Sequence, residues 1–142
     1  MSESIMQDVL LDTGPLVALL DRDDEHHAWA AAQFGRFKGT VRVCEAVLTE
    51  TLFLLRRMKP AQEKVLDWVA AGELRCSFIL PEQVHAVQAL WKRYTNVPMS
   101  LADACVVRMA ELHSHALVCT IDSDFTIYRK HGRTPIPLIA PD

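Results

Sequence analysis

Short apolar runs alternate with longer amphipathic segments along the whole sequence. The runs that predict β-strands lie at residues 7–12, 41–44, 74–80, 116–121 and 136–139. Between them, apolar residues recur at helical spacing and predict helices at residues 13–20, 21–37, 45–58, 60–72, 81–97, 100–113 and 123–130. Strands that are apolar at consecutive positions are typical of a parallel sheet buried on both faces. The pattern therefore predicts a three-layer α/β/α fold, in which helices cover both faces of a central parallel sheet.

The size and composition of the chain restrict the class of protein. With 142 residues, half of them apolar, the sequence has material for one core, and we expect a single domain over residues 1–142. No apolar run approaches the roughly 20 residues of a membrane-spanning helix, and the first residues lack the basic and apolar regions of a secretory signal. We therefore expect a cytoplasmic protein without a membrane partner. The four widely spaced cysteines are expected to be buried free thiols.

Four acids lie in apolar surroundings, where an ionised carboxylate is costly unless a cation or hydrogen-bond donors accompany it. Asp12 and Asp122 directly follow predicted strands, while Glu50 and Asp103 lie within apolar helices. Each acid also has a simpler interpretation. Asp12 and Asp122 could cap the helices that follow them, and Glu50 could face solvent. Asp103 lies three residues after Ser100, as the acid of a capping box does.

The four acids considered together indicate a metal site, which none of them indicates alone. The C-terminal ends of parallel strands meet at one edge of a sheet, where ligand sites usually lie. Carboxylates that converge there raise one another's pKa unless a cation neutralises them. All-oxygen ligation suits Mg²⁺, with Mn²⁺ as a substitute, and does not suit zinc. We therefore predict a Mg²⁺ site built from Asp12, Glu50, Asp103 and Asp122.

The charge balance leaves the question of a nucleic-acid partner open. A formal net charge of −3 argues at first against such a partner, because phosphate binding normally requires a basic excess. If four of the 18 acids belong to a metal site, however, the remaining 14 face 15 Lys and Arg. Basic clusters at residues 56–59, 92–93 and 129–133 could contact phosphates, although solvated helix ends explain them equally well. Trp29 and Trp91 are expected in the core and not as base-stacking surfaces.

Four motifs resemble those of a known family. They are LDTGPL at residues 11–16, VLTE at 47–50, SLADA at 100–104 and TIDSDF at 120–125. In this order they resemble the PIN-domain family, and in particular the VapC-type toxins of toxin–antitoxin pairs. The resemblance runs essentially from end to end. It implies a parallel sheet with strand order 3-2-1-4-5, a metal-dependent endoribonuclease that cleaves RNA, a small antitoxin partner and a homodimer.

The resemblance also assigns roles to individual residues. The acidic quartet of the family, both metal-binding and catalytic, corresponds to Asp12, Glu50, Asp103 and Asp122. The residues that support the quartet correspond to Thr13, Thr120 and Asp124. Members of the family differ in how many acids the loop that contains Asp124 contributes. Gly14 stands where many relatives have serine, so a hydrogen bond from that side chain is not expected. One or two Mg²⁺ ions would then activate a water and stabilise charge on the scissile phosphate, without a histidine base.

Two functions without catalysis compete with the nuclease. A receiver-like signalling module also uses Mg²⁺ and acids at strand ends, but it requires a phosphate-binding lysine after a late strand, and residues 134–137 contain none. Glu50 would have no role in such a module. A PIN-like scaffold that only binds proteins would not need acids at all four positions. The metal-dependent endoribonuclease is therefore the function that the sequence favours.

Overall fold

A central parallel sheet organises the computed structural model, which describes residues 3–142. In chain order the strands are β1 (Val9–Leu11), β2 (Val41–Arg42), β3 (Leu117–Cys119), β4 (Arg129–Lys130), β5 (Thr134–Pro135) and β6 (Leu138–Ile139). Four of them form the sheet in the order β2-β1-β3-β6, and every neighbouring pair is parallel. In this register Leu11 lies opposite Cys119. The residues that follow β1 and β3 are therefore neighbours at one edge of the sheet.

Six α-helices connect and cover the strands. They are α1 (Thr13–Leu20), α2 (His27–Phe34), α3 (Glu45–Leu54), α4 (Lys59–Ala71), α5 (Leu80–Arg93) and α6 (Leu101–Leu112), with a 3₁₀ helix at Ser123–Thr126. Local sequence explains several ends. Proline occupies the first turn of α4 and α5, where its missing N–H is not needed. Gly72 ends α4 with a φ of 80°, a left-handed conformation that glycine adopts readily.

The strands are buried on both faces, as the apolar runs predict. Val9, Leu10 and Leu11 point alternately to opposite faces of the sheet, yet each is at most 1% exposed. Both faces of β1 must therefore be covered. Helix α6 contacts β1 and β3, and α1 packs on α2 and α3. The three-layer α/β/α architecture around a parallel sheet is confirmed.

The third predicted strand, at residues 74–80, is reduced to a single parallel bridge between Arg42 and Arg75. The Arg75 N–H donates to the Val41 carbonyl at 2.8 Å, and the Val43 N–H donates to the Arg75 carbonyl at 3.0 Å. Residues 76–79 continue without strand pairing, and α5 begins at Leu80. With this segment counted as the third strand, the order of the sheet is the expected 3-2-1-4-5; only the extent of that strand was wrong.

The second difference lies after β3. The predicted helix at residues 123–130 ends as a 3₁₀ helix at Thr126, and the chain then forms an antiparallel hairpin of β4 and β5. The turn of the hairpin places His131 and Gly132 at positive φ, of 51° and 79°. A single hairpin of two-residue strands has too little periodicity to be recognised in the sequence.

The remaining features of the fold agree with the composition. All four cysteines are free, and Cys44, Cys105 and Cys119 are buried, while Cys76 is half-buried. Within residues 3–142, none of the helices combines the length and the apolar character that crossing a membrane requires.

Candidate metal centre

Asp12 lies directly after β1 and is almost fully buried, with 6% of its surface exposed. It occupies the N-cap position of α1, but its side chain makes no capping hydrogen bond. Instead, its Oδ2 accepts a hydrogen bond of 2.7 Å from the Thr120 hydroxyl, which follows β3. The pKa of Asp12 is raised to about 6, chiefly by burial and further by the charges of Asp103 and Asp122. Helix capping therefore does not explain this acid.

Thr120 links Asp12 to the next acid. Its fully buried hydroxyl donates to Asp12 and also accepts the backbone N–H of Asp122 at 3.0 Å. Asp122 is exposed, and its Oδ1 accepts the N–H of Asp124 at 2.9 Å, which caps the 3₁₀ helix. The capping interpretation of Asp122 is therefore realised, and one hydroxyl nevertheless joins the loops after β1 and β3. Asp124 is half-buried in the first turn of that 3₁₀ helix.

Glu50 reaches the same region from α3. Its side chain is exposed, and Oε2 accepts a hydrogen bond of 3.1 Å from the hydroxyl of Thr13, the residue after Asp12. The pKa of Asp103 is raised in part by the charge of Glu50, which places the two carboxylates within electrostatic range of each other. Glu50 therefore faces solvent and also belongs to the acidic cluster.

Asp103 combines a structural role with a place in the cluster. It forms the capping box of α6, in which the Asp103 N–H donates to the Ser100 hydroxyl at 3.0 Å and the Ser100 N–H donates to Asp103 Oδ2 at 3.1 Å. Burial, followed by the charges of Asp122 and Glu50, raises its pKa against these hydrogen bonds. Because the cap uses only Oδ2, the second carboxylate oxygen remains available to a ligand.

Tyr128 is a residue of this region that the sequence did not reveal. Its ring is fully buried against Phe125 and Tyr94, with centroid distances of 5.1 Å to each. Its hydroxyl lies 3.1 Å from the Pro98 carbonyl and 3.4 Å from Asp103 Oδ2. Burial and the charges of the neighbouring acids raise the pKa of Tyr128, so the hydroxyl stays protonated as a donor. A single tyrosine between a 3₁₀ helix and a two-residue strand carries no sequence signal for such a contact.

The chemistry of the cluster fits a hard divalent cation. Its donors are four carboxylates and two hydroxyls, all of them oxygen. Among residues 3–142, however, no three Asp, Glu, His or Cys side chains lie close enough together to enclose an ion directly. Mg²⁺ commonly keeps several water ligands and binds through only one or two carboxylates. A set of oxygen donors that does not enclose an ion directly therefore fits a partly hydrated Mg²⁺ or Mn²⁺ ion and does not fit a closed zinc site.

Some cations of the basic clusters donate hydrogen bonds to backbone carbonyls, whereas others are exposed to solvent. The Arg129 guanidinium donates to the carbonyls of Thr126, Ile127 and Tyr128, and the buried Lys130 ammonium donates to the Ser114 carbonyl. These two cations therefore hold the polypeptide together. By contrast, Lys92 and Arg93 are exposed in the last turn of α5.

Residues 9–130 match the model of the PIN domain. The chain belongs to the PIN domain family. PIN domain proteins of the VapC type are nucleases, and PIN nucleases generally use divalent metal ions. None of the curated proteins matches the chain.

Solved PIN domain structures share this fold. The VapC20 toxin of Mycobacterium tuberculosis, described as cleaving the sarcin–ricin loop, superposes with a TM-score of 0.76 at 19% identity, over 84% of this chain and 93% of the toxin. VapBC2 of Rickettsia felis, bound to a promoter DNA fragment, gives 0.66 at 13% identity, over 96% of this chain and 100% of its own. DNA-bound VapBC of Salmonella typhimurium gives 0.54 at 17% identity, over 95% and 98%. The resemblance to VapC toxins is therefore confirmed at the level of the fold.

Proposed function

We propose that this PIN domain protein is a Mg²⁺-dependent endoribonuclease whose active site consists of Asp12, Glu50, Asp103 and Asp122. The observation that supports this most strongly is the convergence of these acids, from four separate segments, at the C-terminal edge of the sheet. Asp12 is the clearest member, because it is buried beside like charges and its pKa is raised to about 6. A carboxylate in that position costs stability, and the proposed function explains why it is kept.

The residues of the chain would divide the work between them. Asp12 and the free oxygen of Asp103 would bind the ion from the buried side, and Glu50 and Asp122 would hold its water ligands from the exposed side. Thr120 and Thr13 would hold Asp12 and Glu50 in place through their hydroxyls, and Asp124 would help to shape the loop after β3. A divalent ion bound there supplies Lewis-acid stabilisation of the scissile phosphate and lowers the pKa of an attacking water.

The test is cleavage of total RNA by the purified protein with Mg²⁺, with EDTA, and with the Asp12→Asn variant. We expect cleavage only by the wild type and only with Mg²⁺ or Mn²⁺. Asp67→Asn, which neutralises an exposed acid on α4, is the matched control and should cleave as the wild type does. Cleavage that survives EDTA and Asp12→Asn would show a contaminating or different nuclease. Absence of Mg²⁺-dependent cleavage by the wild type would contradict the proposal.

We further propose that the protein is the toxin of a toxin–antitoxin pair and forms a homodimer. The VapBC structures of R. felis and S. typhimurium, which share its fold, support an antitoxin partner. On α3, Phe53 and Leu54 lie one turn beyond Glu50 and are 61% and 54% exposed, an apolar surface suited to a protein partner. Co-expression with the product of an adjacent short reading frame should give a stable complex without nuclease activity. Sedimentation equilibrium of the protein alone tests the dimer.

A further inference from the structure

Trp91 is an exposed aromatic side chain held in one orientation. Its helix, α5, buries Val87 and Leu90, whereas Trp91 itself is 47% exposed, contrary to the expectation of a core residue. The indole N–H donates to the Met99 carbonyl at 2.7 Å. This hydrogen bond fixes one edge of the ring, and the exposed area remains available to another molecule. A tryptophan held in this way loses little conformational entropy when a planar ligand stacks on it.

The fixed edge of the ring lies close to the acidic cluster. Met99 precedes Ser100, whose N–H donates to Asp103 Oδ2 at 3.1 Å. With the 2.7 Å bond from Trp91 and standard peptide dimensions, the indole nitrogen is at most about 8 Å from the Asp103 carboxylate. If a phosphate of an RNA strand lies at the acidic cluster, the base of the adjacent nucleotide can therefore reach the Trp91 ring.

The surroundings of Trp91 favour a nucleic acid over a second apolar surface. Gln88, three positions before Trp91 on α5, and Thr95, just beyond the end of the helix, are both exposed and polar. An apolar protein interface would extend over these neighbours. The next residue on the helix, Lys92, is an exposed cation that can approach phosphates, whereas the Arg93 guanidinium packs against Gly132 in the hairpin turn. Val84, two turns earlier on the same face of α5, is also exposed, so the apolar area near Trp91 is small and is bordered by polar residues and a lysine. An aromatic ring beside a cation is typical of single-strand binding surfaces.

We propose that Trp91 forms a nucleobase subsite, on which a base of a single-stranded RNA stacks while its backbone lies at the acidic cluster. The subsite rests on the proposed nuclease function and extends it. Four carboxylates repel the phosphates of RNA, so the site needs another group that binds the RNA, and a stacked base would supply that contact. Stacking tolerates every base, so the subsite favours unpaired RNA over duplex without selecting a sequence.

The first experiment measures binding of a fluorescein-labelled single-stranded RNA of ten nucleotides in EDTA, by fluorescence anisotropy. Trp91→Ala should weaken binding by about 10-fold, within the range caused by loss of one base–aromatic stack. Trp91→Phe removes the N–H donor but keeps a ring, and should retain most of the affinity. Leu66→Ala, which shortens an exposed apolar side chain on α4, is the control and should bind as the wild type does. Thermal unfolding of each variant verifies the fold.

A second probe of the same length without bases separates stacking from phosphate binding. The wild type should bind it about 10-fold more weakly than the RNA, and Trp91→Ala should bind both probes with similar affinity. Equal loss in Trp91→Ala and Trp91→Phe would assign the indole a structural role through Met99. Wild-type affinity that does not depend on the bases would also overturn the subsite. An altered oligomeric state with unchanged RNA affinity would place Trp91 between copies of the chain.

Cleavage assays keep this inference distinct from the proposed function. With Mg²⁺, Trp91→Ala should raise the KM for single-stranded RNA by about 10-fold, as the lost stack predicts. If the wild type cleaves and the variant has an unchanged KM, the subsite is wrong and the nuclease stands. If the wild type does not cleave but loses RNA affinity on Trp91→Ala, the subsite stands and the nuclease is wrong.

Discussion

Replacing Asp12 by asparagine keeps the shape of the side chain and removes a buried negative charge. The wild-type carboxylate is 6% exposed and lies near the charges of Asp103 and Asp122. Among residues 3–142 its one side-chain donor is Thr120, and a backbone hydrogen bond from Thr13 also favours the charged form. The amide oxygen of asparagine can accept the same hydrogen bond. We therefore expect the Asp12→Asn variant to be more stable than the wild type when no metal is present, although it should be inactive.

The raised pKa of Asp12 determines the expected size of the stability difference between the variant and the wild type. The pKa of Asp12 rises from its ordinary value of 3.8 to about 6 in the folded protein. At 1.36 kcal/mol for each pKa unit, ionisation of Asp12 costs the native state about 3 kcal/mol at pH 7. Because the group is almost fully buried, screening by solvent reduces this value little. With a urea m-value of about 1.5 to 3 kcal/mol per molar, the unfolding midpoint of the variant should be about 1 to 2 M higher.

The stability of the wild type depends on pH through Asp12, and the sign of this dependence follows from the raised pKa. Between pH 4 and 6 the native state binds more protons at Asp12 than the unfolded chain does, so the wild type loses stability as the pH rises through this window. Below pH 4 the acid is protonated in both states and has no effect. Above about pH 6 the destabilisation is complete and constant. The Asp12→Asn variant lacks this group, so the difference between the two proteins should grow from pH 4 to 6 and then remain level.

Urea unfolding in EDTA, followed by circular dichroism at pH 4, 5, 6 and 7.5, measures this difference. Asp67→Asn serves as the control, since it neutralises an exposed acid and should leave the midpoint unchanged. A variant that is as stable as the wild type at pH 7.5, or less stable, would refute the reasoning that hydrogen bonds compensate the buried charge of Asp12 only in part.

Three further outcomes are expected. Mg²⁺ at 100 times its dissociation constant should raise the unfolding free energy of the wild type by about 2.7 kcal/mol and that of Asp12→Asn by less, as measured by urea unfolding at pH 7.5. Thr120→Val removes the donor to Asp12 and the acceptor of the Asp122 N–H, so it should cost about 1 to 3 kcal/mol in the same assay and reduce RNA cleavage. Gly39→Ala should lower stability by about 1 to 3 kcal/mol without changing metal affinity, because the added methyl would collide with the backbone carbonyl of Gln7; a thermal melt identical to that of the wild type would contradict this.

Several properties of the site could be read from neighbouring residues alone. Asp12 follows a run of buried apolar residues, and that run is a strand because consecutive apolar side chains can be buried on both faces of a sheet. The Ser100–Asp103 spacing predicted a capping box, which the structure contains. The capping box and the acidic cluster were posed as alternatives, yet Asp103 takes part in both, because one carboxylate has two oxygens.

Other properties depended on contacts that local patterns do not encode. Helical spacing predicted that Trp91 lies in the core with Val87 and Leu90. However, the apolar face of a helix covers a range of angles, and a residue at the edge of that face is buried only if another element packs over it. The basic cluster at residues 129–133 looked free, yet the Arg129 guanidinium is used by nearby carbonyls. The hairpin of β4 and β5 has strands of two residues, too short for any periodicity to show.

The sequence by itself predicted most of the order of strands and helices and the four acids proposed for the site, because burial and helix periodicity leave a signal in consecutive residues. Only the tertiary structure decided that Thr120 bonds to Asp12, 108 positions away, and that Thr13 bonds to Glu50. The raised pKa of Asp12 also depends on tertiary structure, since it comes from burial by distant segments and from the charges of acids on other elements. Such energies depend on separations in space, which the spacing of residues along a chain does not specify.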